Sequence, residues 1–176
     1  WKKHIDSLLG NIEFIAVVMI AGGIVLLFID KFFTKPVIHS QDSVSNKNAF
    51  VIGCYQVLSI LFPGLSRSAA TIIGGLAQKL DRRTAAEFSF FLAVPTMLAA
   101  SVKSCWDVHK VHPEVFAKDS MTLLAIGSLV AFAVALIAIR FFITYLQRHG
   151  FKLFGYYRII LGSVMLLLVW KGIIHQ

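Results

Sequence analysis

Leu61-Phe62-Pro63-Gly64-Leu65-Ser66-Arg67-Ser68-Ala69-Ala70-Thr71 is the stretch on which the reading of this chain turns. It puts an arginine between two serines just after a Pro-Gly break, inside a run otherwise apolar enough for a bilayer. An ionisable side chain at membrane depth costs roughly a few kcal/mol or more, so it is expected to face a polar cavity and carry function. Pro63 ends one helix and Gly64 permits the turn from which a second can start. On either side, Ala49 to Phe62 and Ser66 to Leu80 have helical character but are too short to cross a hydrocarbon core. Together they predict a re-entrant pair. Backbone that turns at membrane depth needs protein or a water-filled cavity around it, which directs the Pro-Gly tip into the protein interior.

The residue types at the tip fit an oxyanion. A helix starting near Ser66 leaves backbone N–H groups unpaired and aims its positive dipole end at the turn. Ser66 and Ser68 add hydroxyl donors, and Arg67 supplies a planar fork matched to two phosphate oxygens. Thr71, four residues after Arg67, falls on the same helical face and extends the cradle. The plainer alternative makes Ser66 an ordinary N-cap, packs Ser68 and Thr71 against backbone, and lets Arg67 snorkel. Snorkelling accounts poorly for an arginine placed beside a helix break.

Composition sets the solvent. The chain has 176 residues, 57% hydrophobic and 15% charged, with mean hydropathy +0.77. A soluble domain carries about a quarter charged residues, so this is an integral membrane protein. The formal net charge of +8 is scattered among short loops and helix ends, which argues against nucleic acid as a partner. Residues 11–33, 84–104, 121–146 and 151–169 are each long and apolar enough to span. The fold expected is therefore all-α and polytopic, one integral membrane domain over 1–176, with four transmembrane helices plus the re-entrant pair at 49–62 and 66–80. The chain starts at Trp1 without a methionine, and its N-terminal part is expected to be missing. Loops around Lys31 to Lys47, Lys79 to Arg83 and Arg140 to Lys152 are expected on one side, whose excess of basic residues marks it as cytoplasmic. Cys54 and Cys105 lack metal-ligand or redox spacing and are read as packing residues.

Pro63-Gly64-Leu65-Ser66-Arg67-Ser68-Ala69-Ala70-Thr71-Ile72 resembles the second signature of the bacterial undecaprenyl-diphosphate phosphatase (bacitracin-resistance) family. Glu87-Phe88-Ser89-Phe90-Phe91-Leu92-Ala93-Val94-Pro95 resembles the segment that follows it, and Ala49 to Gln56 the approach to it. The resemblance implies a hydrolase of the bacterial plasma (inner) membrane with an inverted-repeat helical fold. It would remove the terminal phosphate of undecaprenyl diphosphate at a cavity opening towards the periplasm, recycling the carrier for peptidoglycan. It further implies that Arg67 grips the diphosphate, Ser66 hydrogen-bonds it and Thr71 supports that contact. Gly64, Ser68, Glu87 and Ser89 complete the candidate substrate-binding set. A divalent cation, Mg2+ or Ca2+, is the implied cofactor. The family's first signature, a glutamate-rich segment ending in Ser-Ser-x-Gly-His, does not occur in this chain, so the main metal ligands are expected in the missing N-terminal part. Ala69 stands where many members have glycine. The partners implied are the membrane and a polyprenyl diphosphate lipid, with a homodimer left open.

Glu87 has a simpler reading, a first-turn carboxylate paired with Arg82 or Arg83. Ser89 and Thr96, seven residues apart on one helical face, either line the cavity or serve interhelical packing. His109 and His112 have a metal-compatible spacing but no evident third ligand. The rival function is transport of a lipid phosphate, since secondary transporters also bind anions where broken helices meet.

Overall fold

A computed structural model of the chain describes residues 11–33, 35–112 and 118–173. Trp1, His4, Pro113, Glu114 and His175 lie outside them. Among the described residues there are six α-helices, one short 3-10 turn at Gln41–Ser43 and a single isolated β-bridge, Ile38 to Leu80. Four helices are long and apolar enough to cross a membrane: α1 (Ile12–Phe32), α4 (Arg82–Val111), α5 (Lys118–His149, apolar from Met121) and α6 (Lys152–Trp170). The chain is a multi-pass helical membrane protein.

Two shorter helices, α2 (Asn46–Leu61, 16 residues) and α3 (Arg67–Ala77, 11 residues), meet at the Pro-Gly break. At 1.5 Å per residue they are about 24 Å and 17 Å long, short of a ~30 Å hydrocarbon core. Ser45 caps α2 through its hydroxyl, which accepts from the Asn48 N–H (3.2 Å). Asp81 caps α4 in the same way at Thr84 (2.7 Å).

The expected end of the second span, at 104, falls short. Asp107, His109 and Lys110, read as loop, form the last turns of α4, which closes at His112. Cationic side chains suit a helix C-terminus, and nothing stops the helix until His112, the residue before Pro113. Cys54 and Cys105, read as packing residues, are instead exposed on α2 and α4.

α1 and α6 run antiparallel with their backbones in contact. A Cβ added at Gly23 would lie 2.8 Å from the Gly155 carbonyl oxygen, and one at Gly155 would lie 2.8 Å from that of Gly23. Small residues give this close approach, which replaces the hydrophobic drive that helices lack in lipid. α3 is the most enclosed element: Ala69, Ala70, Thr71, Ile72, Gly74, Gly75 and Leu76 are all buried. It lies between α2, where Gly74 meets Tyr55, and α4, where Gly75 meets Ala85.

The three loops expected on one side do meet there. Arg82 Nε pairs with Asp30 Oδ1 (2.8 Å), and the other oxygen of Asp30 accepts from the Phe151 N–H (3.2 Å). Val37 and Ile38 donate to the Lys79 carbonyl, Asp81 donates back to that of Ile38, and His39 Nδ1 lies 3.1 Å from Asp81. α2 leaves this end and α3 returns to it, so the pair forms a hairpin with its tip far from the loops.

Candidate functional site

The tip begins where α2 stops. Phe62 donates to the Leu58 carbonyl (2.9 Å), Leu65 donates to that of Phe62 (3.0 Å), and the next helical residue is Arg67. Gly64 has φ +98° and sits against α1, where an added Cβ would stand 2.5 Å from the Ile15 carbonyl oxygen. Only glycine combines that dihedral with that proximity. Ser66 has φ +70° and ψ 122°, a conformation costing a non-glycine residue about 1–3 kcal/mol, of the kind concentrated at functional sites. Its hydroxyl caps α3, accepting from Ala69 N–H at 3.4 Å.

Arg67 lies on the α4 face. Its Nη1 donates to Thr96 Oγ1 (3.3 Å), and that hydroxyl is in contact with the Leu92 and Ala93 carbonyls. Thr96 follows Pro95, whose missing N–H leaves the Phe91 carbonyl without its helical partner. Thr96 is fourteen residues beyond Arg82, about 21 Å along α4. Measured from the loop end, the tip therefore lies about 21 Å along α4.

Thr71 shares the Arg67 face but is committed elsewhere. Its hydroxyl lies 2.6 Å from Ser89 Oγ and 3.1 Å from both the Arg67 and Ser68 carbonyls, with Thr71 1% and Ser89 4% exposed. Because one hydroxyl donates one proton, Thr71 bonds a carbonyl while Ser89 donates to it, or Thr71 donates to Ser89. Either way the pair pins α3 to α4 below the tip. Glu87 is not brought to Arg67. Its Oε1 pairs with Arg83 Nε (2.7 Å), its Oε2 accepts from Gln41 Nε2 (3.4 Å), and it sits nine residues, about 13 Å, from Thr96 along α4.

One residue of the site was absent from the sequence reading. Arg158, on α6 and 8% exposed, crosses to the tip and donates from Nη2 to the Gly64 carbonyl (2.5 Å). Gly22 makes room for it, since a Cβ there would lie 2.9 Å from Nη2. An arginine inside the apolar segment 151–169 was the available signal. Among the described residues neither Arg67 nor Arg158 has an acidic partner. Two such guanidiniums, Arg67 at the first position of α3 and Arg158 on the Gly64 carbonyl just before it, have the chemistry of anion binding.

The family described as bacitracin resistance protein BacA matches residues 1–164. The chain belongs to that family. A protein of Porphyromonas gingivalis (strain ATCC BAA-308 / W83) named undecaprenyl-diphosphatase is 48% identical over 173 residues, covering 98% of this chain and 61% of the relative. Proteins of the same name from Flavobacterium johnsoniae and Bdellovibrio bacteriovorus are 49% and 41% identical, covering 95% and 97% of this chain. The chain spans 61% to 64% of the length of these curated relatives.

Among the described residues no group of three or more His, Cys, Asp or Glu converges to hold a metal ion. The described residues of this BacA-family chain therefore do not by themselves fit the divalent cation that the resemblance implies, and the chemistry of Arg67 and Arg158 is that of anion binding.

Proposed function

We propose that this chain carries the diphosphate-binding part of a membrane phosphatase that converts undecaprenyl diphosphate to undecaprenyl phosphate and inorganic phosphate. The observation that carries the proposal is Arg67, a guanidinium with no acidic partner among the described residues, at the first position of a half-length helix, where α3 offers N–H groups of the same polarity. Phosphoryl transfer asks a protein mainly for positioning and charge stabilisation. Arg67 serves as the bidentate clamp, Gly64 as the turn that lets the backbone approach, Ser66 and Ser68 as hydroxyls on the other side of the tip, and Thr71 with Ser89 as the strut that fixes α3. Glu87 orders the loop-side end through Arg83 and Gln41. The protein sits in the bacterial inner membrane with its basic loop end in the cytoplasm. The tip, far from those loops, then opens towards the periplasm. The relatives' name favours hydrolysis over transport.

The test is phosphate release from undecaprenyl diphosphate by the purified protein and its variants. Arg67→Ala is expected to lose about 10²–10³-fold in kcat, the scale of removing one donor to developing oxyanion charge. Arg67→Lys is expected to recover little of it, because an ammonium lacks the planar fork. Full turnover in the lysine variant would remove the bidentate argument. Transbilayer movement of labelled lipid without phosphate release would favour the transporter.

A further inference from the structure

Below the tip lies a cavity of about 340 Å³ whose polar lining is Ser66, Ser68, Tyr157 and Arg158 and whose apolar lining includes Phe90, Phe142 and Phe154. Arg67 is not part of it, since that side chain is turned towards Thr96 on α4. Arg158 brings a guanidinium with five N–H donors. Nη2 uses one on the Gly64 carbonyl, Nε is buried away from the cavity, and Nη1 makes no hydrogen bond among the described residues, which leaves it to meet acceptor oxygens in the cavity.

The cavity does not end at its aromatic wall. Phe90, Phe142 and Phe154 also line an apolar groove of about 640 Å³ that continues past Ile139, Tyr145 and Leu153 between α5 and α6. The rings are held edge to face, Phe90 to Phe142 at 5.7 Å and Phe142 to Phe154 at 5.1 Å between centroids. One end of the space is cationic and hydroxylated, and the other is a wall of hydrocarbon. That polarity matches an amphiphile with an anionic head and a long apolar tail, and neither a free inorganic ion nor a neutral lipid fills both ends.

We propose that Arg158, with Ser66 and Ser68, forms a second phosphate-binding face of the tip, and that the groove along Phe90, Phe142 and Phe154 carries the prenyl tail out between α5 and α6. The proposal rests on the lipid-diphosphate reading and deepens it: the head is held from two sides, by Arg67 and by Arg158, while the tail fixes which way the head enters.

The experiment is photolabelling of the purified protein in detergent micelles with farnesyl diphosphate bearing a diazirine at its tail end, followed by peptide mapping. Label is expected within 138–145 and 153–154, competed by undecaprenyl diphosphate. A farnesol probe without the diphosphate is expected to label those positions no more than other apolar faces. Arg158→Met should abolish the specific label, but Arg158 also holds Gly64, so a second variant on the groove wall is needed. Ile139→Trp is expected to cut labelling and raise KM for undecaprenyl diphosphate about tenfold, equal to about 1.4 kcal/mol of binding, with kcat within about twofold because the tip is untouched. Phe132→Trp, on an exposed face of α5, should change neither. Label confined to α1 or α2, or indifferent to Ile139→Trp, would overturn the groove assignment. Labelling needs no turnover. Correct labelling without phosphate release therefore sinks the phosphatase reading alone, and release with label elsewhere sinks the groove alone.

Discussion

Gly64→Ala tests the tip most directly, because two separate costs meet at one methyl. The dihedral is the first: φ +98° is open to glycine, and an L-residue held in such a region costs about 1–3 kcal/mol. The second is steric. The new Cβ would stand 2.5 Å from the Ile15 carbonyl oxygen, with Ile15 Cγ2 at 3.2 Å, and the obstacle is helix backbone, which cannot swing aside. Overpacking of this kind costs about 1–3 kcal/mol more. Together they give about 2–6 kcal/mol, or a fall in Tm of roughly 4–24 °C at about 2–4 °C per kcal/mol for a chain of this size. The assay is a thermal melt in detergent by tryptophan fluorescence, paired with phosphate release. Gly53→Ala is the control: it lies inside α2, an added Cβ meets nothing within 4 Å, and better helix propensity should leave it neutral or up to about 1 kcal/mol more stable. A Gly64→Ala protein that melts with the parent would refute the packing of the tip on α1, and with it the position assigned to Arg67.

Ser66→Gly should relieve the φ +70° backbone while losing only a few tenths of a kcal/mol of capping, so it should melt at or above the parent, whereas Ser66→Ala loses about 0.5–2 kcal/mol. If the Gly variant is stable yet slow in phosphate release, the hydroxyl serves the substrate, and if it is stable and fast, Ser66 is a cap only. Asp30→Ala strands both the Phe151 N–H and the Arg82 guanidinium and is expected to cost about 1–3 kcal/mol in detergent melts. Asp30→Asn, which keeps an acceptor, should cost less, and equal losses would mean that the ion pair matters more than the hydrogen bond. Burial pushes the Asp81 carboxyl up, but hydrogen bonds from Thr84 and the neighbouring His39 outweigh it and hold it below its usual 3.8. A depressed carboxyl stabilises the fold above its unfolded pKa and loses that contribution as pH falls through the folded one. Melts should therefore be level in this respect from neutral pH down to about 5 and fall below about 4, a step that Asp81→Asn removes. A persisting step would assign it to another group.

Helix number and the break between α2 and α3 were legible because both rest on strong local signals: apolar runs of spanning length, and a Pro-Gly pair that cannot continue a helix. The shared loop side was legible too, since a hairpin of half-length helices must return to the end it left. Extent was less so. Asp107, His109 and Lys110 read as loop by polarity, yet a helix leaving a bilayer has no reason to stop at the interface while its own hydrogen bonds continue. The cysteines show the same confusion of solvents. In a membrane protein an apolar side chain is satisfied by lipid as well as by burial, so an apolar run says little about which side faces inward.

The sequence reading let Ser66, Arg67, Ser68 and Thr71 converge on one point, and helix geometry explains why they divide instead. Successive residues fan out by about 100°, so Arg67 and Ser68 cannot share a face, while Arg67 and Thr71, four apart, do. The shared face is taken by α4: Arg67 meets Thr96, and Thr71 meets Ser89. Ser66 and Ser68 open on the other side, where the chain brings a second guanidinium from α6, 94 residues after Gly64. No local pattern joins those positions. What joins them is the backbone contact of α1 with α6, which sets Gly22 and Gly23 under Arg158 and leaves its guanidinium no direction but the tip. A bulkier residue at Gly22 should therefore disturb substrate binding through Arg158 without touching any residue of the Pro-Gly signature.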